Sequence, residues 1–226
     1  MKTITVLGAN GRTGIEIVNQ ALEKGWLVKA LVRDRQKIKI SNPNLQIIEG
    51  NSMNYDDVTK AIKETDAVYF AINFVRKTLI TGRKTDVPWS KIASPLDLFD
   101  VSMTNTVKAM KQNGVKRIIT MSAWGAGDSY KEVNWLFRFL IKRSNVGLLY
   151  AGHEDQERIL RESGLDWTAV RPVILSNSKN QKLVRVSFSG EKKLNRDISR
   201  KDVAKFMLDI IDEKKYFNTC PSISSD

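Results

Sequence analysis

Two residue types that build disulfides and metal sites are almost missing from this sequence. Among its 226 residues there is one cysteine, Cys220, and one histidine, His153. A lone cysteine excludes an internal disulfide, and one histidine far from one cysteine gives no metal-ligand spacing, so we expect no metal site. No apolar run approaches the roughly 20 residues of a membrane span, and Lys2 leads directly into a strand-like segment rather than a signal peptide. We therefore expect a cytoplasmic protein in a reducing compartment.

Acidic residues are in the minority, because the sequence has 25 of them and 37 lysine and arginine residues. The resulting net charge of +12 is compatible with a nucleic acid, an anionic surface or an anionic small molecule as the partner. The basic residues are scattered among acids, and clusters such as Arg35, Lys37 and Lys39 are short. Because no known nucleic-acid motif is present, nucleic acid is the minor alternative. A basic surface with a site for a phosphate-bearing small molecule fits better.

Glycine is sparse as well, with 13 residues, yet three of them stand close together after the first strand-like segment. The segment Thr3–Leu7 is rich in β-branched residues, and Gly8, Gly11 and Gly14 follow it. A helical pattern comes next, and then a second apolar run, Leu27–Val32. This order of strand, glycine turn, helix and strand predicts the βαβ unit that binds a dinucleotide.

Each glycine of this loop has a physical role in such a unit. Gly8 lets the chain leave the strand through a tight turn, Gly11 leaves room for the pyrophosphate, and Gly14 lets the helix lie against the strand. The phosphates would bind N–H groups at the positive end of the helix that begins near Thr13. The predicted cofactor contacts in this loop are Gly8, Asn10, Gly11, Arg12, Thr13 and Gly14.

After the second strand, the sequence alternates between strand-like and helix-like segments. Further strands are predicted over residues 45–48, 67–72, 115–121 and 167–170, and helices over residues 55–63 and 96–112, with another ending at Gly164. Such alternation predicts a parallel sheet with helices on both faces. The predicted fold is α/β, a Rossmann-type doubly wound parallel sheet with a small C-terminal substrate-side region. We expect residues 1–226 to form a single NAD(P)-binding Rossmann-like domain.

Ligands of such sheets bind beyond the carboxyl ends of the strands, so residues at these ends are candidate cofactor contacts. Arg33 stands where NAD-binding proteins usually carry an acid, and a cation there suits the 2′-phosphate of NADP. Asp34 beside it opposes this inference, because a carboxylate repels phosphate. We predict NADP(H) as the cofactor, with NAD(H) as the alternative. The other candidates are Asn51, Ser52, Ala71, Ile72, Asn73, Ser122 and Pro172.

Five segments spread along the chain carry a family resemblance. They are GANGRTG at 8–14, LVRD at 31–34, NGVKRIITMSA at 113–123, LRESGLDWTAVRP at 160–172 and ISRKDVAKFML at 198–208. Through them the chain resembles the NmrA-like, NAD(P)H-binding branch of the atypical short-chain dehydrogenases/reductases, especially the biliverdin-IX beta/flavin reductases. The resemblance implies a Rossmann-type domain that uses NADPH to transfer hydride to a bulky conjugated acceptor.

The tyrosine–lysine pair of conventional short-chain dehydrogenases is missing here. Those enzymes combine a serine with Tyr-x-x-x-Lys, in which the lysine lowers the tyrosine pKa for proton transfer. Ser122 follows the strand where that serine is expected, whereas no Tyr-x-x-x-Lys occurs and Tyr150 precedes Glu154 at that spacing. We predict Ser122, Tyr150 and His153 as the catalytic candidates, with Ser122 beside the nicotinamide or acceptor. His153 is equally compatible with a charged surface helix.

Two functions are compatible with the absence of the tyrosine–lysine pair. The first is an NADPH-dependent oxidoreductase, because flavins, quinones and tetrapyrroles delocalise the incoming charge and can take a proton from water. Its partner would be a small-molecule electron acceptor. The second is a non-catalytic NADP-binding redox sensor of the NmrA-like type, which would act on a regulatory protein partner. An isomerase or epimerase is disfavoured because the tyrosine–lysine pair is absent.

The acceptor-side elements are predicted within residues 73–95, 123–150 and 172–198. The first segment is a long loop with several cations and one tryptophan: Arg76, Lys77, Arg83, Lys84 and Trp89. Residues 132–143 predict an aromatic, basic helix. This helix could pack on the domain or form a homodimer interface. The alternatives are that it covers the acceptor, binds a regulatory partner or lies on a membrane surface. Residues 182–196 predict a hairpin that turns at Gly190.

Overall fold

The computed structural model describes residues 1–75 and 91–226. The cations and the tryptophan predicted to mark the 73–95 loop lie outside the described residues: Arg76, Lys77, Arg83, Lys84 and Trp89. Within the described ranges, no helix combines the length and the apolarity that crossing a membrane requires.

Strands and helices alternate along most of the described chain. The strands are β1 Thr3–Leu7, β2 Leu27–Val32, β3 Leu45–Glu49, β4 Ala67–Phe70, β5 Arg117–Met121, β6 Asp166–Pro172, β7 Ile174–Ser176, β8 Val184–Ser187, β9 Asp197–Ser199 and β10 Ser222–Ser225. The α-helices are α1 Gly14–Glu23, α2 Tyr55–Ile62, α3 Leu98–Gln112, α4 Trp135–Arg143, α5 Val146–Arg161 and α6 Arg200–Asp209.

The main sheet of the described chain has the strand order β3-β2-β1-β4-β5-β6-β10-β8. All neighbouring strands are parallel except β10 and β8. The first six positions reproduce the Rossmann order, in which the direction of strand addition reverses between β1 and β4. The predicted doubly wound α/β fold is therefore confirmed. This reversal is the place where such sheets bind dinucleotides.

Helices cover both faces of the sheet, because each face presents apolar side chains that must be buried. On one face α1 and α6 pack together, with Val18 and Met207 fully buried in the core. On the other face α2, α3 and α5 pack together, with Met103 and Leu160 fully buried. The loops at the carboxyl edge of the sheet therefore rest on a rigid three-layer support.

The C-terminal part differs from the prediction. Residues 182–196 do not form the predicted hairpin, because β8 pairs with β10 instead, although the chain does turn at Gly190, which has a φ of +78°. The sequence of β10, SISS, is too short and polar to indicate a strand. All four of its residues are nevertheless buried between β6 and β8. The small parallel pair of β7 and β9 was also not predicted, since each strand has three residues.

The aromatic, basic helix predicted over residues 132–143 is shorter than expected. Asn134 caps α4, since its Oδ1 accepts a hydrogen bond of 2.8 Å from the Phe137 backbone N–H. The preceding residues, Gly127–Glu132, form a 3-10 helix. The capping asparagine therefore sets the start of α4, as Asn does at helix N-termini.

Candidate functional site

The carboxyl ends of six parallel strands form one continuous edge. In spatial order from β3 to β6, the residues at this edge are Asn51, Arg33, Gly8, Ala71, Ser122 and Pro172. Backbone hydrogen bonds join neighbouring ends, from Ala71 N–H to the Leu7 carbonyl (2.9 Å) and from Ser122 N–H to the Val170 carbonyl (2.7 Å). Strands lie about 4.8 Å apart, so Arg33 and Ser122 are separated by three spacings, roughly 14 Å. The two ends of a dinucleotide can therefore lie on opposite sides of the β1–β4 reversal.

The glycine loop is tightly folded against the end of β4. Gly8 has a φ of +82°, and a side chain there would lie 2.7 Å from the Ala71 carbonyl oxygen. A side chain on Gly14 would lie 2.2 Å from the Gly8 carbonyl oxygen, and the Gly11 N–H donates to that same oxygen (2.9 Å). Thr13, at the N-cap of α1, makes no side-chain capping hydrogen bond. The loop thus has the shape and the uncapped helix end that phosphate binding requires.

Among the remaining loop residues, Arg12 borders a cavity. Asn10 and Arg12 are exposed, while Thr13 is buried. Arg12 lines a cavity of about 360 Å³ together with Asn177, Ser178 and Arg200. Arg200 is buried and donates to the Asn177 side-chain oxygen (2.7 Å), which orients the chain after β7. The 172–198 segment therefore lies beside the glycine loop.

Arg33 is exposed at the end of β2, and its neighbour Asp34 is turned to other partners. The Asp34 carboxylate accepts a hydrogen bond from the Gln36 backbone N–H (3.0 Å) and lies 3.4 Å from the Lys37 ammonium. Asp34 acts as the N-cap of the 3-10 helix Arg35–Lys37. The Asp34 carboxylate, which opposed phosphate binding in the sequence, is therefore engaged by a backbone N–H and by the Lys37 ammonium.

The predicted contacts after β3 and β4 lie on the same edge. The Asn51 side-chain oxygen accepts from the Met53 N–H (3.1 Å), and the Ser52 hydroxyl accepts from the Ser102 hydroxyl of α3 (2.9 Å). After β4 come three more of the predicted cofactor contacts: Ala71, Ile72 and Asn73. The first two are buried under the glycine loop, whereas Asn73 is exposed. The backbone of Ala71 and Ile72 passes close to Gly8 of the glycine loop, and their contact with the cofactor stays a prediction.

Ser122 is part of a buried ionic network that sequence reasoning missed. Its hydroxyl donates to the Glu157 carboxylate (2.7 Å), and the Arg171 guanidinium donates to both oxygens of that carboxylate (2.9 and 2.6 Å). Glu157 and Arg171 are 0% and 2% exposed. Arg171 also pairs with Asp128 (2.6 Å), and Arg161 with Glu157 (3.0 Å). The network ties β5, β6 and α5 together beneath the site.

The contacts within this network determine the ionisation state of Glu157. Burial alone would raise the pKa of Glu157, but the hydrogen bonds and positive charge of Arg171, with the Ser122 hydroxyl, lower it. Glu157 is therefore ionised, and the Ser122 hydroxyl directs its proton toward Glu157. The signal for this network in the sequence is Arg171 at the end of an apolar strand, because a buried cation needs an ion-pair partner.

Tyr150 is buried behind the edge rather than projecting into solvent. Its hydroxyl donates to the Trp124 carbonyl oxygen (3.1 Å), and its ring contacts Phe137 of α4. Burial raises the pKa of Tyr150, so the phenol stays neutral. A lysine in the Tyr-x-x-x-Lys spacing is absent, and Tyr150 has no substitute cation among its described contacts.

His153 is also buried, with 2% of its surface exposed, so the alternative of a surface histidine is wrong. Its ring packs against Phe99 of α3, with ring centroids 5.0 Å apart, and its Nδ1 lies 3.3 Å from Gln156 Nε2. Gln156 in turn donates to the carbonyl of Met121, the last residue of β5 (3.0 Å). Burial lowers the pKa of His153 to about 4, although the negative charge of Glu157 opposes the shift. The imidazole is therefore neutral near pH 7.

Acid should destabilise the protein through His153. The unfolded state takes up a proton near pH 6.5 and the folded state only near pH 4, so stability is fully present above 6.5 and falls as the pH drops from 6.5 toward 4. We expect a loss of about 2 kcal/mol between pH 7 and 4.5 in the wild type that His153→Gln does not share. Since His153 is the only histidine, its imidazole NMR signals report the titration directly. A midpoint near 6.5 would contradict the buried position.

Sequence comparison places the chain in a family. A family model described as NAD(P)H-binding matches residues 8–214. An uncharacterised chloroplast protein of Arabidopsis thaliana is 30% identical over 184 residues, covering 78% of this chain but only 60% of the plant protein. The uncharacterised sugar epimerase YhfK of Bacillus subtilis is 28% identical over 219 residues, covering 95% of this chain and 90% of its own length.

Solved structures share the fold of this chain. A short-chain dehydrogenase/reductase of Veillonella parvula in complex with NADP superposes with a TM-score of 0.78 at 20% identity, covering 99% of this chain and 94% of its own. The anaerobillin reductase ChuY of Escherichia coli O157:H7 superposes with a TM-score of 0.77 at 16% identity, covering 99% and 97%. The match of the family model over most of the sequence, on a Rossmann fold with an intact glycine loop, shows that the chain belongs to the NAD(P)H-binding family.

Proposed function

We propose that this protein is an NADPH-dependent reductase that transfers hydride to a flat conjugated acceptor such as a flavin, quinone or tetrapyrrole. The observation that carries the proposal is the single edge on which the glycine loop, Arg33 and Ser122 lie in the order that NADPH would need. The pyrophosphate would bind at the start of α1, the 2′-phosphate near Arg33 and the nicotinamide near Ser122. The similarity in fold to an anaerobillin reductase supports the acceptor class.

The proposed reaction fits a site in which none of the three catalytic candidates, all within the described part of the chain, is ready to donate a proton. Tyr150 and His153 are buried and neutral, and Ser122 directs its proton to Glu157. Bound NADPH would supply a hydride to the acceptor, whose conjugated system would delocalise the added charge, and water would supply the proton. The protein then contributes mainly by holding the nicotinamide and the acceptor at reacting distance.

The residues at this edge would hold the nicotinamide and the acceptor in place for the transfer. In this proposal Ser122 accepts a hydrogen bond from the nicotinamide amide or the acceptor, since its own proton is engaged by Glu157. Asn51 and Ser52 would bracket the adenine, and Pro172 would close the nicotinamide end. A ketone or alcohol substrate, by contrast, would need a proton donor such as the missing tyrosine–lysine pair.

Replacing Arg33 should change cofactor choice more than cofactor binding in general. Losing a charge-assisted contact to the 2′-phosphate costs about 1.5–3 kcal/mol, so Arg33→Ala should bind NADPH roughly 10- to 100-fold more weakly and NADH unchanged. Titration calorimetry with both nucleotides measures the ratio, and NADPH consumption with FMN, a quinone and a biliverdin measures the activity.

Lys60→Ala is the control, because it removes one charge from the last turn of α2 at the opposite edge of the sheet. We expect it to leave both affinities within twofold. An equal loss for NADPH and NADH in Arg33→Ala would refute the role of Arg33 in the 2′-phosphate site. Tight NADPH binding without turnover on any of the three acceptors would refute the reductase and favour the NADP-binding regulator.

A further inference from the structure

One face of α4 exposes large apolar side chains. Trp135, Leu136 and Phe139 are 78%, 54% and 53% exposed and lie within little more than one helical turn. The opposite face is anchored, since Ile141 is buried in a small cluster with Tyr150. The exposed residues thus belong to a helix that is fixed to the fold on its other side.

The charges of α4 are all of one sign. Its sequence, WLFRFLIKR, contains three cations and no acid. Arg138 is held by the protein itself, because its guanidinium donates to the Val133 carbonyl and lies 5.7 Å from the Tyr130 ring centre. Lys142 and Arg143 are exposed, three and four residues after Phe139, and so continue the apolar stripe. The stripe therefore ends in a pair of solvent-facing cations.

The size of this patch argues against a folded protein partner. With about 150–250 Å² for an aromatic side chain, the three exposed residues present roughly 400 Å² of apolar surface. A stable protein interface needs about 800 Å² from each partner. Binding to a bilayer surface does not require so large an area, because a short helix enters the headgroup region by its apolar face alone.

We propose that α4 docks this protein on an anionic membrane surface. Trp135, Leu136 and Phe139 would enter the boundary between headgroups and acyl chains, where tryptophan is favoured because its ring is amphipathic. Lys142 and Arg143 would contact anionic headgroups, and each cation contributes about fivefold to binding. The net charge of +12 favours the same surface over a neutral one.

Sedimentation of the full-length protein with lipid vesicles tests this proposal. We expect binding to vesicles of phosphatidylcholine with about one third phosphatidylglycerol, and much weaker binding to pure phosphatidylcholine. Neutralising the pair in Lys142→Gln/Arg143→Gln should weaken anionic binding roughly 30-fold. Trp135→Ser/Phe139→Ser should weaken it at least about tenfold, because binding scales with the apolar area buried. No acceptor is present, so the outcome is independent of reductase activity.

Two matched variants control for charge and apolarity elsewhere. Lys60→Gln/Lys111→Gln removes two exposed cations from α2 and α3, and Leu183→Ser removes a 79%-exposed leucine beside β8. Both should bind anionic vesicles within about threefold of the wild type. Circular dichroism and thermal unfolding check that every variant is folded, which the exposure of the replaced side chains leads us to expect.

Three results would overturn the proposal. The first is no binding to anionic vesicles, and the second is equal weakening by the α4 variants and their controls. The third is a dimer, by light scattering, that Trp135→Ser/Phe139→Ser converts to a monomer, because a second copy would then cover this face.

Discussion

Replacing Gly14 by alanine is expected to reduce NADPH affinity at least about 100-fold and to destabilise the fold by about 1–3 kcal/mol. The new methyl group would lie 2.2 Å from the Gly8 carbonyl oxygen and 2.9 Å from the Gly8 carbonyl carbon. Both are backbone atoms, so either α1 or the glycine loop must move. Because the loop and the start of α1 together form the proposed pyrophosphate site, either movement would remove phosphate contacts. Fluorescence titration with NADPH and urea unfolding measure the two effects.

Gly25→Ala separates the effect of a clash from that of replacing a glycine. Gly25 lies after the other end of α1, before β2, and has a φ of +74°, but a side chain there would meet no atom within 4 Å. This variant should lose about 1–2 kcal/mol of stability through backbone strain and keep its NADPH affinity. If Gly14→Ala binds NADPH as tightly as Gly25→Ala does, the loop is not the phosphate site.

Removing the buried carboxylate in Glu157→Ala should cost about 3–5 kcal/mol of unfolding free energy at pH 7. The variant leaves Arg171 buried, with only Asp128 as its remaining ion-pair partner among the described residues, and leaves the Ser122 hydroxyl without its acceptor. The control is Glu162→Ala on the last turn of the same helix. That carboxylate is 70% exposed and 3.9 Å from Arg158, so its loss should cost at most about 0.5 kcal/mol.

The effect of Glu157 should also depend on pH. Its pKa is lower in the folded than in the unfolded state, so its contribution is present above the unfolded pKa and is lost as the pH falls through the folded value. The difference between the wild type and Glu157→Ala should therefore shrink in acid below about pH 4. A difference that stays constant down to pH 3 would mean that Glu157 acts by packing rather than by charge.

The sheet and the cofactor loop could be predicted from the sequence because they depend on local patterns. The glycine spacing, the β-branched run before it and the cation at Arg33 are all read within about thirty residues. The strand β10 could not be predicted, because SISS becomes a strand only through its neighbours β6 and β8. Its burial is a tertiary effect that no window of the sequence contains.

The interior of the site was less predictable for the same reason. Glu157 and Ser122 are 35 residues apart and meet only when α5 packs across β5. His153 stands among charged residues on its helix, and that composition favoured exposure as much as function. Its burial follows from the contact between α3 and α5, where Gly152 lets Phe99 approach closely. Which face of a helix turns inward is decided by such contacts.

Transfer of a label from NADPH to the acceptor tests the proposed hydride transfer most directly. The protein is incubated with a biliverdin and with NADPH that carries deuterium on one or the other face of C4. Mass spectrometry then measures the deuterium content of the reduced tetrapyrrole. We expect deuterium in the product from one face only, because the fixed edge presents a single side of the nicotinamide to the acceptor. Bound NADPH whose deuterium never reaches the tetrapyrrole, and which is not oxidised when a flavin or a quinone is added, would contradict the reductase.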